Sequence, residues 1–148
     1  MVGCSSVCWN PSLVDPQSLV VGSYYDSKKQ NRDSLIQIFV YADSKKEYIF
    51  LTYLKNDSKG HTDTITDIEW CNQFGRTFHL IASCSIDGTM KIWRLDFTFN
   101  SNNDGFDNFN IKYEIIHNFV SPQSVNIYLY LDMEVIMESV RDINILYR

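Results

Sequence analysis

Residues 60–95 read GHTDTITDIEWCNQFGRTFHLIASCSIDGTMKIWRL, and this stretch decides the fold of the chain. After a Gly-His pair, an alternating strand ends at Trp70, and a small apolar strand follows over residues 80–84. Asp87-Gly88 predicts a tight hairpin turn, because glycine readily adopts the positive φ that such a turn needs. Apolar and polar residues alternate again over 90–95, the pattern of a half-buried strand. We expect an antiparallel sheet with strands at residues 64–70, 79–85, 89–97 and 112–117.

Four side chains in this stretch have the chemistry of a buried polar network. The imidazole of His61 can bridge the carboxylate of Asp87 and a hydroxyl from Ser83 or Ser85, while the indole N–H of Trp93 is donated inward. A hydrolase triad is the alternative, but the chain has no Gly-x-Ser-x-Gly nucleophile turn, and a triad has no use for the tryptophan. We therefore predict a structural network and no catalytic, cofactor-binding or metal-binding residues; its members are His61, Ser83, Asp87 and Trp93.

This layout is similar to one blade of a WD-repeat β-propeller, and a weaker copy precedes it. Residues 6–9, 19–23 and 36–39 parallel residues 67–70, 80–84 and 90–93, with 47–54 as an outer strand. The 61 positions from Trp9 to Trp70 exceed the roughly 40–45 expected of a blade, and we assign the excess to extended loops at 24–34 and 41–47. The predicted fold is all-β, a partial propeller with about two antiparallel blades, residues 1–59 and 60–119.

Longer strings resemble one family within this class, the SEH-type nucleoporins, which are close relatives of the Sec-thirteen coat subunits. The strings are CSSVCWNPS at 4–12, IQIFVYADSKKEY at 36–48, ITDIEWCNQFGRTFHLIA at 65–82 and KYEIIHNF at 112–119. The most specific piece is GRTFH at 75–79, where generic WD repeats have a short turn. The resemblance covers residues 4–119 and implies the fourth and fifth blades of an open six-bladed propeller.

The resemblance also implies a function. It suggests a structural scaffold of the Y-shaped outer-ring complex at the nuclear pore, serving nucleocytoplasmic transport, and a related nutrient-signalling complex at the lysosome or vacuole. The implied partners are other nucleoporins, especially an α-helical solenoid nucleoporin that completes the propeller. The alternatives are a generic WD-repeat adaptor or substrate receptor for a modifying enzyme, and a coat subunit of the Sec-thirteen type. The sequence shows no paired carboxylates, nucleophile elbow or phosphate loop, so we expect no enzyme.

Residues 120–148 depart from the blade pattern. They contain no glycine, and Pro122 is their only breaker, so they lack the tight turns of a blade. One interpretation is an amphipathic helix; the other is a translated intron or frame error. The abrupt start of the chain favours the second, a fragmentary gene product. The apolar positions of the helix would be Leu131, Val135, Ile136, Val140 and Ile143.

Composition excludes several classes of function. The formal net charge of −5 argues against a nucleic-acid interface, and no apolar run approaches the roughly 20 residues of a membrane span. The four cysteines include no C-x-x-C pair, so we expect no metal site, and we interpret Cys71 and Cys84 as reduced thiols of a cytosolic or nuclear protein. At 148 residues the chain supplies about two blades, whereas propellers typically have four to eight.

Overall fold

The chain forms two four-stranded antiparallel sheets in a computed structural model, which describes residues 3–30, 35–55, 60–72, 77–99 and 109–120. All eight regular elements in these ranges are strands, which confirms the predicted all-β class with two blades. The predicted tail, apart from Val120, lies outside the described residues. The first sheet contains β1 (Cys4–Trp9), β2 (Ser18–Ser23), β3 (Ile36–Ala42) and β4 (Glu47–Tyr53). The second contains β5 (Ile65–Trp70), β6 (His79–Ser85), β7 (Thr89–Phe99) and β8 (Phe109–Val120).

Consecutive strands are neighbours in both sheets, and their registers show which residues are equivalent between them. Trp9 pairs with Leu19, whereas Trp70 pairs with Ile81. Leu19 of the first sheet therefore corresponds to Ile81 of the second. The alignment of residues 19–23 with 80–84 in the sequence pairs Leu19 with Leu80, and this is wrong by one residue. A one-residue slip moves every side chain to the opposite face, so the register was needed to assign the faces.

One of the two loop expectations needs correction. β3 continues to Ala42 and β4 begins at Glu47, so the expected extended loop at 41–47 is a tight turn. The backbone N–H groups of Lys45 and Lys46 both donate to the carbonyl of Ala42, and Lys46 adopts a positive φ of 57° that closes this turn. Of the loop expected at 24–34, residues 24–30 include a turn at Asp26, and residues 31–34 lie outside the described ranges.

The last strand is longer than predicted. β8 begins at Phe109, inside the Asn/Asp-rich stretch at 100–110 and three residues before the predicted start at 112. Thr98 pairs with Asn110 and Lys91 with Asn118, so the ladder with β7 overrides the poor strand propensity of asparagine. Residues 100–108 of that stretch lie outside the described part of the chain.

The two sheets stack face to face around one apolar core. Side chains alternate between the faces of each strand, and one face of each sheet supplies this core. The contact is tight at Gly22, where an added Cβ would stand 2.6 Å from Cγ2 of Ile65. The buried members of the core are Val20, Leu35, Ile36, Ile38 and Leu54 from the first sheet and its flanks, and Ile65, Ile68, Trp70, Ile81, Trp93, Leu95 and Ile111 from the second sheet.

Candidate functional site

The structure brings together the four side chains of the predicted network. Trp93 Nε1 donates to Ser83 Oγ at 2.8 Å, and Ser83 Oγ lies 2.8 Å from His61 Nε2. His61 Nδ1 lies 3.1 Å from Asp87 Oδ2. Because Ser83 accepts from the indole, its own hydrogen is donated to the imidazole, which leaves Nδ1–H to donate to the carboxylate. Of the two serines considered, Ser83 occupies this position, and Ser85 Oγ donates to the carbonyl of Asp63 instead.

Asp87 gains further partners that sequence spacing did not identify. The hydroxyl of Thr89 donates to Asp87 Oδ1 at 2.6 Å, and the backbone N–H of Thr62 donates to Oδ2 at 2.8 Å. Burial alone would raise the pKa of Asp87, but the hydrogen bonds from His61, Thr89 and Thr62 outweigh it and lower that pKa. Burial lowers the pKa of His61, against the opposing pull of the carboxylate. The pair is therefore a neutral imidazole beside a carboxylate.

This geometry does not suit nucleophilic catalysis. Ser83 is fully buried, and its oxygen already accepts the Trp93 N–H while donating to His61. A nucleophile needs access to a substrate carbonyl and an oxyanion site beside it. The saturated, dry arrangement instead ties β6 and β7 to the chain that enters β5.

A second polar cluster, which sequence analysis missed, joins the two sheets. Trp70 Nε1 donates to His79 Nδ1 at 3.2 Å, so His79 carries its proton on Nε2, which lies 3.3 Å from Asp15 Oδ2. Asp15 belongs to the loop between β1 and β2, where it also accepts from the hydroxyl of Ser12. Burial lowers the pKa of His79, and the Asp15 and Asp96 carboxylates oppose that shift.

His79 is buried between the sheets. It is only 2% exposed, and its ring lies 4.7 Å from that of Phe97. Its acidic partner is 64 positions away in the chain, in the other blade. The only sequence signal was the pair of turn residues Ser12 and Asp15, which mark an ordered loop without indicating what it contacts.

The outer face of the first sheet carries an exposed apolar surface, which we call the open face. The strand registers place nine side chains on it, and none of them belongs to the core between the sheets. Trp9 is 58% exposed and Phe50 is 45% exposed. Its aromatic rings pack against one another in pairs, with centroid distances of 5.6 Å for Trp9–Tyr48 and 4.5 Å for Phe50–Tyr53. The nine residues are Val7, Trp9, Leu19, Val21, Phe39, Tyr41, Tyr48, Phe50 and Tyr53.

The open face of the first sheet is equivalent to the face of the second sheet that packs against the first. Trp70, Ile81 and Trp93 of the second sheet pack against the first, and their registers match Trp9, Leu19 and Phe39. The sheets are thus stacked head to tail, with unlike faces in contact. It follows that the open face has the shape and chemistry to receive another sheet or an apolar partner.

Within the described ranges, no three His, Cys, Asp or Glu side chains are arranged to hold a metal ion. The same ranges contain no helix with the length and hydropathy needed to cross a membrane. Cys4, Cys8, Cys71 and Cys84 are free thiols.

The fold and the network together define a class of protein. The chain contains two stacked four-stranded antiparallel sheets, and a His-Asp-Ser-Trp network lies at one corner of the second sheet. These are the features of blades in a WD-repeat β-propeller. Within that class the chain is similar to the curated SEH1 nucleoporins and SEC13 homologues. No protein-family model matches the chain.

Three relatives illustrate these similarities. The chain is 29% identical to human nucleoporin SEH1 over 86 residues, which is 58% of the chain and 23% of that protein. It is 30% identical to the human SEC13 homolog over 104 residues, 64% of the chain and 30% of that protein. It is 27% identical to nucleoporin SEH1-B of Xenopus laevis over 120 residues, 79% of the chain and 32% of that protein. The chain thus spans about a quarter to a third of the length of these relatives.

Proposed function

We propose that this chain contributes two blades to a non-enzymatic WD-repeat scaffold of the outer-ring complex of the nuclear pore. The observation that carries the proposal is the open face, an aromatic surface on a rigid sheet whose equivalent in the second blade is a sheet-to-sheet contact. A surface of this kind favours association with other protein chains. The printed names of the relatives, nucleoporin SEH1 and the SEC13 homolog, support the nuclear-pore assignment.

The proposed partners are other nucleoporins, above all an α-helical solenoid nucleoporin that adds a blade to complete the ring. Strand addition to a free sheet edge gives such a contact its affinity through main-chain hydrogen bonds. The proposed location is the nuclear pore at the nuclear envelope. A second location, the surface of the lysosome or vacuole in a nutrient-signalling complex, belongs to the same proposal.

Affinity purification from cross-linked cells tests this function. The tagged protein should enrich nucleoporins, including a helical solenoid member, and a fluorescent fusion should concentrate at the nuclear rim. The test variant carries Trp9→Lys and Phe50→Lys, at two exposed positions of the open face, and is compared with the parent protein. It should keep the thermal midpoint of the parent protein and lose the enrichment, because lysine charges cannot be buried in an apolar contact.

The outcomes separate the candidate functions. Enrichment of vesicle-coat subunits without nucleoporins would favour a coat subunit, the alternative that the SEC13 homolog supports. Recovery of a modifying enzyme with its substrates would favour the adaptor or substrate receptor. Nucleoporin enrichment that survives the two lysine substitutions would show that the open face is not the contact.

A further inference from the structure

The loop between β1 and β2, residues 10–17, holds two adjacent aliphatic side chains fully in water. Leu13 is 101% exposed and Val14 is 95% exposed, the highest values among the large hydrophobic residues of the described ranges. We call this pair the apolar tip. Single exposed hydrophobic residues are common on protein surfaces, but two neighbours at the end of an ordered loop are well placed for a contact with another molecule.

The loop that carries the apolar tip is ordered by its own hydrogen bonds. The hydroxyl of Ser12 accepts from the backbone N–H groups of Val14 and Asp15, at 3.3 and 3.2 Å. Asn10 Oδ1 accepts from the N–H of Ser12 at 3.0 Å. The Asp15 carboxylate accepts from the Ser12 hydroxyl and lies 3.3 Å from Nε2 of His79, which ties the loop to the second sheet. Binding through a loop that is already ordered loses less conformational entropy.

The backbone around the apolar tip offers hydrogen-bond acceptors and almost no donors. Pro11 and Pro16 have no N–H group, and the N–H of Leu13 is the one over residues 10–16 without an acceptor in the described part of the chain. The carbonyl groups of residues 11–16 accept no hydrogen bond from the described residues. A complementary surface therefore presents apolar side chains to the tip and donors to the backbone around it. The N–H groups already engaged are those of Asn10, Ser12, Val14 and Asp15.

We propose that the apolar tip inserts into an apolar pocket of a partner protein whose rim carries arginine or lysine. The Asp15 carboxylate beside the tip and the formal net charge of −5 complement a basic rim. A lipid bilayer is the poorer match, because segments that lie in the membrane surface combine apolar with basic residues, and residues 1–27 contain no lysine or arginine. The proposal is separate from the outer-ring function, because it concerns a surface other than the open face and requires no nucleoporin.

Photo-cross-linking from the apolar tip tests the proposal on the full chain in cells. A benzophenone amino acid replaces Leu13, irradiation links it to the atoms that touch it, and peptide mass spectrometry maps the linked residues. We expect links to one site on a partner protein, where apolar residues are bordered by arginine or lysine. The same probe at Ile86 is the matched control. Ile86 is 50% exposed and follows the end of β6, whereas the loop contacts His79 at the start of that strand.

The affinity of the purified, mapped partner then shows whether the apolar tip anchors the contact. Leu13→Ser with Val14→Ser should weaken binding at least about tenfold, because each aliphatic side chain that becomes buried contributes roughly that factor. The double variant should keep the thermal midpoint of the parent protein, since neither side chain is buried in the fold. Ile86→Ser also removes an exposed aliphatic side chain and should leave the affinity unchanged.

Four outcomes would overturn the proposal. The first is the absence of links from position 13, or links that match those from position 86. The second is linkage to lipid, with binding to vesicles of phosphatidylcholine and phosphatidylserine that the double serine variant loses, which would make the tip a membrane contact. The third is linkage only to a second copy of this chain, which would make it a self-association contact. The fourth is a mapped partner that binds the double serine variant as tightly as the parent, because the tip would then lie near the contact without filling a pocket.

Discussion

Two buried histidines hold the polar structure together, and they use opposite tautomers. His61 donates from Nδ1 to Asp87 and accepts at Nε2 from Ser83, within one sheet. His79 accepts at Nδ1 from Trp70 and directs Nε2–H to Asp15, across the two sheets. Each ring is neutral and has both nitrogens occupied. An imidazole is the one side chain that can donate and accept at opposite ends of a rigid ring, which is why a substitution at either position leaves a buried group without a partner.

Removing the carboxylate of the network should destabilise the protein. Asp87→Ala leaves the buried Nδ1–H of His61 and the hydroxyl of Thr89 without their acceptor, and His61→Ala leaves Ser83 and Asp87 short of a partner. We expect each change to lower the free energy of unfolding by about 1–3 kcal/mol, measured as a shift in the urea midpoint.

Asp43→Ala is the matched control for this series. Asp43 is an exposed carboxylate in the turn between β3 and β4, paired loosely with Lys46 at 3.6 Å. Exposed ion pairs contribute little, so the free energy of unfolding of Asp43→Ala should stay within about 0.5 kcal/mol of that of the parent protein. Unmoved midpoints for both Asp87→Ala and His61→Ala would show that the network does not stabilise the fold.

Stability should fall when the pH drops below about 6.5, the ordinary histidine pKa. Burial lowers the pKa of both His61 and His79 in the folded state, so the unfolded chain binds protons that the folded chain does not. The slope approaches about 1.4 kcal/mol per pH unit for each such proton, down to the folded pKa. Asp87, whose folded pKa is lowered, adds to the loss once the pH falls below its ordinary value of about 3.9.

Urea unfolding at pH 7.5, 6.5 and 5.5 measures this dependence. Calorimetric unfolding in buffers of different ionisation enthalpy counts the protons directly. Proton uptake on unfolding at pH 5.5 supports neutral buried histidines. Proton release, or stability that rises on acidification through this window, would mean that the imidazoles are charged in the fold.

At the scale of residues, the sequence was sufficient where the partners are close in the chain. His61, Ser83, Asp87 and Trp93 all lie within residues 60–95, so spacing within one repeat predicted which side chains would meet. The pairing of His79 with Asp15 depends on how two blades stack, and nothing local to either residue encodes it.

At the scale of elements, the alternation of apolar and polar residues predicts where strands form, whereas the paired neighbouring strand determines where they end. Alternation predicted β5, β6 and β7 to within a few residues. It did not predict the length of β8, because the partner strand β7 stabilises its Asn-containing ends. It also failed at the boundary between β3 and β4, where four polar residues form a tight turn that composition alone does not separate from a long loop.

Gly22 lies tightly against Ile65 of the second sheet, and an added methyl group should push the sheets apart. The Cβ of Gly22→Ala would lie 2.6 Å from Cγ2 of Ile65, whose side chain is fully buried. We expect a loss of about 1–3 kcal/mol in the free energy of unfolding, as for an overpacked core. Chemical denaturation of the single variant measures the loss.

A double-mutant cycle with Ile65→Ala checks the cause. Removing the branched side chain creates space for the new methyl group, so the double variant should be more stable than the sum of the two single effects predicts. Additive effects would show that Gly22→Ala acts through backbone conformation and not through contact with Ile65.

At the scale of the whole molecule, the open face should limit solubility. Its exposed aromatic side chains form a contiguous apolar surface, which promotes association of the isolated chain. Trp9→Lys with Phe50→Lys should raise the concentration at which light scattering first increases, without lowering the thermal midpoint. The control, Ser27→Lys with Asn72→Lys, adds the same charge at exposed positions away from the open face and should help much less. Equal improvement by both pairs would attribute association to net charge.

The strand order has a consequence for how the chain folds. Each sheet pairs only strands that follow one another, in the orders β1-β2-β3-β4 and β5-β6-β7-β8. Every hairpin can therefore close over a short loop and at low entropic cost, before the rest of the chain is organised. Contacts between distant residues, such as those of Cys8 and Asp15 with the second sheet, arise only when two finished sheets meet. We therefore expect the association of preformed sheets, with expulsion of the water between them, to be the slow step in reaching the native state.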